Sequence, residues 1–467
     1  MKVNKLMLKK AAVFFTVLTL TACANLSAQG LFSHYSIAMS SSHSALEQGQ
    51  YQAAIDALPT APAGEILDGM EQGRTRFLAK QYPSSFSAFQ GADVAVKEQQ
   101  SKAVIQISEG FNQVGAVLTN DNMITYQPAD YELGFLHLYL ALNYIQQRKL
   151  ESALVEVRRA NMVQEAAKKI REAELEKAEQ AVRQKGMNNN IGAVLARYPD
   201  AGNKLGAVQN GYLFFLSGVL YEADGDLNNA YIDYKRALAV APDNIYVAQT
   251  VLRLATRLQM IDDLQTLQAR YGKYQRPAKD EGRVIIFDEQ GVVAAKSDWR
   301  LPLYWRDNRG QGVIYNLALP YYGNVTTPTL TPLKLGNTSL QGQQVANVNS
   351  MAQQSLSEAL PAIITRQALR VVAKNEVRRA AAEGGDDVGN VLANIFNTLT
   401  EQPDTRSWQT LPAAIDIYQN DVKAGTQTLT WNGQQLDVEV KAGRTTMVWV
   451  SRQGNQVSWW SVLLGAN

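Results

Sequence analysis

The sequence predicts an α + β multidomain protein: an N-terminal α-solenoid of helix hairpins, then a C-terminal antiparallel β-sandwich with an inserted helical segment. Three observations predict it. Apolar residues recur at helical spacing from about 41 to 275, in units that repeat. At 283 the period becomes that of strands, beginning with Arg283-Val-Ile-Ile-Phe287. A helical pattern returns over 349–399 before further strand-like runs close the chain.

The repeats are read first. In 211–244, Gly218 and Ala230 are small where two helices cross, Tyr221 and Tyr234 fill the space beside them, and Pro242 ends the second helix. With Phe214 near the start and Gly225-Asp226 at the turn, the segment resembles a tetratricopeptide repeat. A second copy at 134–167 places Leu140, Ala141, Tyr144, Ala153 and Ala160 on matching positions, with Val157 for the aromatic and Glu165 for the proline. Upstream, Gly49 and Ala54 mark one degenerate copy. Gly73, Phe89 and Ala92, with Ser85 at an alanine position, mark another. Residues 246–271 supply a further pair or a capping helix, with Val247, Val251, Leu254 and Leu258 on one face. A charged helical insertion spans 156–198, laced by Glu165–Lys169 and Glu179–Arg183 at i, i+4 spacing and broken at Gly186-Met187-Asn188.

The β region is expected over 283–467, with helical 349–399 inserted and kinked at Pro361. Its strand runs are Arg283–Phe287, followed by a turn at Glu289-Gln-Gly291, then Leu301–Trp305 and Gly312–Leu319. After the insertion come Ala414–Tyr418, Gly425–Trp431, Gln435–Val440, Thr445–Ser451 and Val457–Leu464.

The first 22 residues read as a lipoprotein signal peptide. Lys2, Lys5, Lys9 and Lys10 precede an apolar run, Ala11–Leu20, too short to span a bilayer. Leu20-Thr21-Ala22-Cys23 resembles a lipobox, so Cys23 is the expected lipidation site, with acyl chains as the membrane anchor. Ala24, rather than an aspartate, after the cysteine favours delivery to the outer membrane. Residues 23–40 are then a lipidated tether. Losing four leader lysines takes the net charge from +2 to −2, which gives no electrostatic case for nucleic acid.

Chemistry is sparse. The single cysteine allows no internal disulfide, and His34, His43 and His137 have no metal-ligand spacing, so no metal and no cofactor are expected. No Gly-x-Ser-x-Gly elbow and no phosphate-binding loop occur. Two clusters have alternative readings. Glu401, Asp404 and Arg406 beside Trp408 are either a glycosidase-like acid/base pair or an ion pair stacked on Trp408, the latter favoured. Asn120-Asp121-Asn122 is a capped polar turn rather than a calcium loop. Of Trp459 and Trp460, adjacent in a strand, at most one is core; the other is either covered by the helical segment, the favoured reading, or left to line a glycan or peptide groove.

Several stretches outside the repeat signature carry a wider resemblance. They include Thr119-Asn120-Asp121-Asn122, Asp130-Tyr131-Glu132, Val155-Glu156-Val157-Arg158-Arg159-Ala160, Leu360-Pro361-Ala362-Ile363 and Asp404-Thr405-Arg406-Ser407-Trp408. With the lipobox, they resemble a widespread proteobacterial family of tetratricopeptide-containing lipoproteins of unassigned function. The resemblance implies a role in envelope assembly. The expectation is a non-enzymatic, outer-membrane-anchored scaffold facing the periplasm, binding envelope proteins in the concave solenoid groove. Asn143 and Tyr212, on the first helices of the two clearest repeats, are the expected groove residues. The alternative is a peptidoglycan- or glycan-binding or -processing protein acting through the β domain.

Overall fold

The computed structural model describes residues 34–60, 63–108, 125–166, 209–306, 312–323, 325, 330–383 and 403–465. The expected signal peptide, Cys23, Ala24, Asn120–Asn122, the expected insertion beyond 166, the apolar run 388–399 and Glu401 lie outside them. The helical region is α1 (Tyr35–Ala38), α2 (Ser40–Glu47), α3 (Tyr51–Asp56), α4 (Glu65–Leu78), α5 (Tyr82–Ser108), α6 (Asp130–Gln146), α7 (150–166), α8 (Gly211–Asp224), α9 (Leu227–Val240), α10 (Ile245–Arg257) and α11 (Ile261–Tyr271).

Small residues twelve positions apart set the crossings. Ser42/Ala54, Gly73/Ser85, Ala141/Ala153 and Gly218/Ala230 are all buried, each pair with one member on either helix of a hairpin. A Cβ on Gly73 would come within 2.5 Å of the Phe89 ring, and one on Gly218 within 2.6 Å of Tyr234, so these positions admit no larger residue without movement. Where serine takes the small position, its hydroxyl is satisfied across the crossing: Ser42 Oγ donates to Ala54 O at 2.7 Å and Ser85 Oγ to Gly73 O at 2.8 Å. Gly225 takes φ +87° at the α8–α9 turn, and Asp226 caps α9 by accepting from Asn229 N. The α10–α11 pair ends the stack. Val247, Val251 and Leu254 of α10 are buried, whereas α11 buries no residue and presents its outer side to water.

Residues 34–40, within the expected tether of 23–40, already belong to the fold: Tyr35 is buried and its hydroxyl reaches Glu71 Oε1 at 3.1 Å. Further on, Glu165 pairs with Arg236 of α9 at 3.0 Å, which ties the visible start of the charged insertion to the repeat behind it.

The C-terminal strands are β1 (Glu281–Gln290), β2 (Ser297–Arg306), β3 (Gly312–Tyr321), β4 (Lys334–Leu335), β5 (Thr338–Ser339), β6 (Gln343–Asn347), β7 (Ala414–Lys423), β8 (Gly425–Trp431), β9 (Gln434–Val440), β10 (Thr445–Gln453) and β11 (Gln456–Leu464). Helix α12 (Val348–Glu383) lies between β6 and β7. A five-stranded sheet runs β11-β10-β1-β7-β6, a four-stranded sheet β5-β4-β8-β9, and β2-β3 form a hairpin of their own. The sandwich is not wholly antiparallel as expected: β1 and β10 pair in parallel from Arg283↔Thr445 to Gln290↔Arg452. Strands far apart in sequence pair in whatever direction the intervening chain delivers them, and local alternation carries no information on that. Helix α12 is continuous through Pro361, with Thr365 Oγ1 donating to the Pro361 carbonyl at 2.7 Å.

The five-stranded sheet is sealed on both sides. Val284, Ile286, Val448 and Val450 face the four-stranded sheet and pack with Leu429, Trp431, Leu436 and Val438. Ile285, Phe287, Met447 and Trp449 face the helices and join one core with Phe77, Tyr139, Tyr212 and Phe215. Solenoid, mixed sheet and antiparallel sheet are therefore three consecutive layers, and the first two share a single hydrophobic core.

Candidate functional site: the inner wall of the solenoid

The inner wall is built from the first helices of successive hairpins. Helix α4 contributes Glu71 and Arg74, α6 contributes Glu132 and Tyr139, and α8 contributes Tyr212 and Phe215; within α4 and α6 the spacing of three or seven keeps both side chains on one face. All six are buried, and what buries them is the protein's own C-terminal half.

Glu289 of β1 sits at the centre of the first contact. Its Oε2 accepts from Arg74 Nη2 at 2.6 Å and from Tyr139 Oη at 3.0 Å; its Oε1 accepts from Trp449 Nε1 at 3.0 Å and Tyr212 Oη at 3.3 Å. Arg74 also reaches Ser451 Oγ at 3.0 Å and lies 4.8 Å from the centre of the Tyr139 ring. Burial pushes the Glu289 carboxyl above its ordinary range, while the Arg74 charge and the three ring donors pull it back.

The second contact is a strap, residues 404–413, crossing the same wall. Glu71 accepts from Gln409 N at 2.7 Å through Oε1 and from Thr410 N at 3.0 Å through Oε2. Glu132 accepts from Trp408 N at 2.7 Å, and from Ala129 N at 2.8 Å at the start of its own helix. Tyr126 donates a further, short hydrogen bond to Glu132. Two carboxylates thus hold three consecutive main-chain N–H groups, which is how an extended segment is gripped without reading its side chains. Burial raises the Glu71 carboxyl to about 8 against the opposing pull of those donors.

Arg406 closes on Asp404 in a forked pair, Nε–Oδ1 2.9 Å and Nη2–Oδ2 2.8 Å, and stacks on Tyr126 with 5.5 Å to the ring centre, not on Trp408 as expected. Trp408 is fully buried between Phe89 and Tyr139, its Nε1 donating to Thr410 Oγ1 at 2.9 Å. A carboxylate engaged in this way is not an open acid, so the geometry does not favour the glycosidase reading.

The expected groove residues are corrected by the same packing. Asn143 is fully buried, donating to Tyr139 O at 2.9 Å and Ser85 Oγ at 3.4 Å, on the side of α6 that faces α5. Tyr212 does lie on the inner wall, but Glu289 and the Phe287 ring, 5.2 Å away, cover it. Neither meets solvent: Asn143 is buried in the crossing of α6 with α5, and Tyr212 is covered by the apolar face of the chain's own sheet.

The histidines act as ties. His137 Nδ1 meets Glu156 Oε2 at 2.8 Å beside the Arg159–Asp93 pair, His43 Nε2 meets Val293 O at 2.9 Å, and His34 Nε2 lies 3.7 Å from Asp298. No group of three His, Cys, Asp or Glu suited to a metal occurs among the described residues. Trp460 is the buried member of its pair, stacked on Trp449 at 6.1 Å; Trp459 is half-buried, with Lys80 Nζ 4.9 Å over its ring, on a shallow apolar crevice also lined by Trp431, Gln434 and Gln435.

Sequence reasoning missed Glu71, Arg74 and Glu289. It also ended β1 at Phe287, whereas the strand continues to Gln290 with Asp288 and Glu289 wholly buried. The signal was present in the alternation: Glu289 continues the odd face of Ile285 and Phe287, and Asp288 the even face of Val284 and Ile286. Asp288 is matched from the sandwich side by Arg452 Nε at 2.7 Å and Tyr418 Oη at 3.2 Å.

No family model matches the chain, and no curated protein matches it. Two solved structures of MamA overlap part of it. One superposes with a TM-score of 0.27 at 10% identity over 54% of this chain and 100% of its own. The other gives 0.26 at 10% identity over 50% and 90%. Likeness of that size says nothing about what the chain does.

Proposed function

We propose that this protein is a lipid-anchored scaffold of the bacterial outer membrane, exported, acylated at Cys23 and facing the periplasm, where it holds proteins of envelope assembly and has no catalytic role. The observation that carries the scaffold reading is the stack of helix hairpins with one twelve-residue crossing repeated along it, an architecture that offers surfaces rather than reactive groups. The lipobox ending in Cys23, followed by Ala24, supports the address. The resemblance to proteobacterial tetratricopeptide lipoproteins supports the setting.

Because the inner wall is covered by the chain's own sheet and strap, partners are met outside it. The second helices α5, α7 and α9 leave Val94, Val155, Met162 and Ile232 in solvent, and the Arg159–Asp93 and Asn161–Asp233 hydrogen bonds hold those helices side by side.

The test is crosslinking capture from intact membranes with the full-length protein. One stoichiometric envelope protein, lost when Met162 and Ile232 become Glu but kept in Tyr212→Phe, supports the reading. Capture of glycan fragments alone, or recovery of the protein unacylated from the soluble periplasm, defeats it.

A further inference from the structure

We infer that the outer edge of β11 and the apolar crevice beside it take the carboxyl-terminal segment of another protein, extended and ending in an apolar residue. This surface is separate from the helical faces proposed above and does not depend on them. Its first support is the edge. Strand β11 pairs with β10 from Thr445↔Leu464 to Gln453↔Gln456 without a bulge, and among the described residues no strand pairs with its other side. Gln456-Val-Ser-Trp-Trp-Ser-Val-Leu-Leu464 holds no charge and no proline. Charges, prolines and bulges are what keep further strands off such an edge. Ser461 is exposed, and Val457, Trp459, Val462 and Leu463 are only partly buried, so solvent reaches this edge.

The second support is the crevice. Alternation puts Val457 and Trp459 on the sandwich side of β11, where they line it together with Leu429, Trp431 and Leu436 of the four-stranded sheet. The empty space, mouth included, is about 270 Å³, and no charged residue lines it. Pockets for drug-sized ligands begin at roughly 300 Å³, so this one suits a side chain or two. A strand added beside β11 points every second side chain to the face that carries Val457 and Trp459. That delivers an apolar residue to the crevice.

The third support is charge. Lys80, an exposed residue just beyond the end of α4, holds its Nζ 4.9 Å over the Trp459 ring and meets no carboxylate among the described residues. It places an unpaired cation at the mouth of a site whose lining is uncharged. A terminal carboxylate complements that cation, extended backbone complements the edge, and an apolar last side chain complements the crevice. One occupant satisfies all three.

The experiment uses the full-length protein and a pool of fluorescein-labelled heptapeptides. Threonine and valine alternate in them, and they end in valine, leucine, isoleucine or phenylalanine with the terminus free or amidated. Expected is saturable anisotropy for the free-acid pool, weakened about fivefold by amidation and about tenfold by Trp459→Gln, and unchanged by Ile232→Glu. In Lys80→Gln, a surface change that leaves the fold intact, acid and amide bind alike. In the wild type, bound peptide slows amide exchange over 456–464. No anisotropy change with any peptide, an acid–amide difference that survives Lys80→Gln, or binding without slowed exchange overturns the inference and leaves the outer-helix reading standing. A dimer by light scattering that Ser461→Lys dissolves gives the edge to a second copy and overturns it as well.

Discussion

Arg74 of the solenoid and Glu289 of the sheet meet at 2.6 Å with both side chains wholly out of solvent. The pair joins residues 215 positions apart and fastens two layers that a reading by domains would separate. Around it Tyr139, Tyr212 and Trp449 each spend their one polar hydrogen on the same carboxylate or lie against the guanidinium.

Arg74→Met leaves a buried carboxylate without its cation and is expected to destabilise the protein by about 3–5 kcal/mol. Glu289→Gln costs a comparable amount, and the double variant less than the sum of the two, since each single change strands the other partner. Urea denaturation of the four proteins measures this. Because solenoid and sheet share one core, circular dichroism and tryptophan fluorescence report a single coincident transition.

Gly73→Ala and Gly218→Ala each drive a methyl group into an aromatic ring at 2.5–2.6 Å and are expected to cost about 1–3 kcal/mol. Gly91→Ala, on an exposed position of α5 where nothing lies within 4 Å of the new carbon, is expected to stabilise by about 0.5–1 kcal/mol. Thermal melts of the three variants must split in sign; a uniform response would place the crossings elsewhere.

Trp408→Ala empties the space between Phe89 and Tyr139 and is expected to cost about 3–5 kcal/mol. The same change loosens the strap, so limited proteolysis is expected to cut within 404–413 in the variant and not in the wild type.

Stability is expected to rise as pH falls from about 8 to 5. Burial raises Glu71 to about 8 and both Asp68 and Asp416 to about 6. A carboxyl whose folded pKa lies above its unfolded value binds more protons in the folded state between the two, so its contribution is full below the unfolded pKa and is lost as pH rises through the folded one. Asp93, Glu222 and Asp263 are shifted downward and act only in more acidic solution. Urea midpoints at pH 5.5, 7 and 8.5 give the slope, and Glu71→Gln is expected to reduce it across the whole range and to leave little slope between 7 and 8.5, above the folded values of Asp68 and Asp416. A midpoint that climbs with pH in the wild type would contradict this assignment.

Period and small-residue spacing are local properties, and they were enough to locate the hairpins from Gly73/Ser85 to Gly218/Ala230 and the long strands of the C-terminal half. The two-residue strands β4 and β5 and the short β6 left no readable pattern, because a strand of two to five residues has too few alternations to stand out. The proposed lipobox likewise rests on sequence alone, on Leu20 to Cys23.

Tertiary structure alone decided what the inner wall faces. Nothing next to Glu71 in sequence announces Gln409 and Thr410, and nothing near Tyr212 announces Glu289. A buried acid in a helix looks like a surface acid until its partner arrives from hundreds of residues away, and only folding brings it. For the same reason a solenoid read as an open cradle for other proteins turns out to be lined by its own sheet: the apolar faces of Phe287 and Trp449 needed cover, and the nearest concavity supplied it.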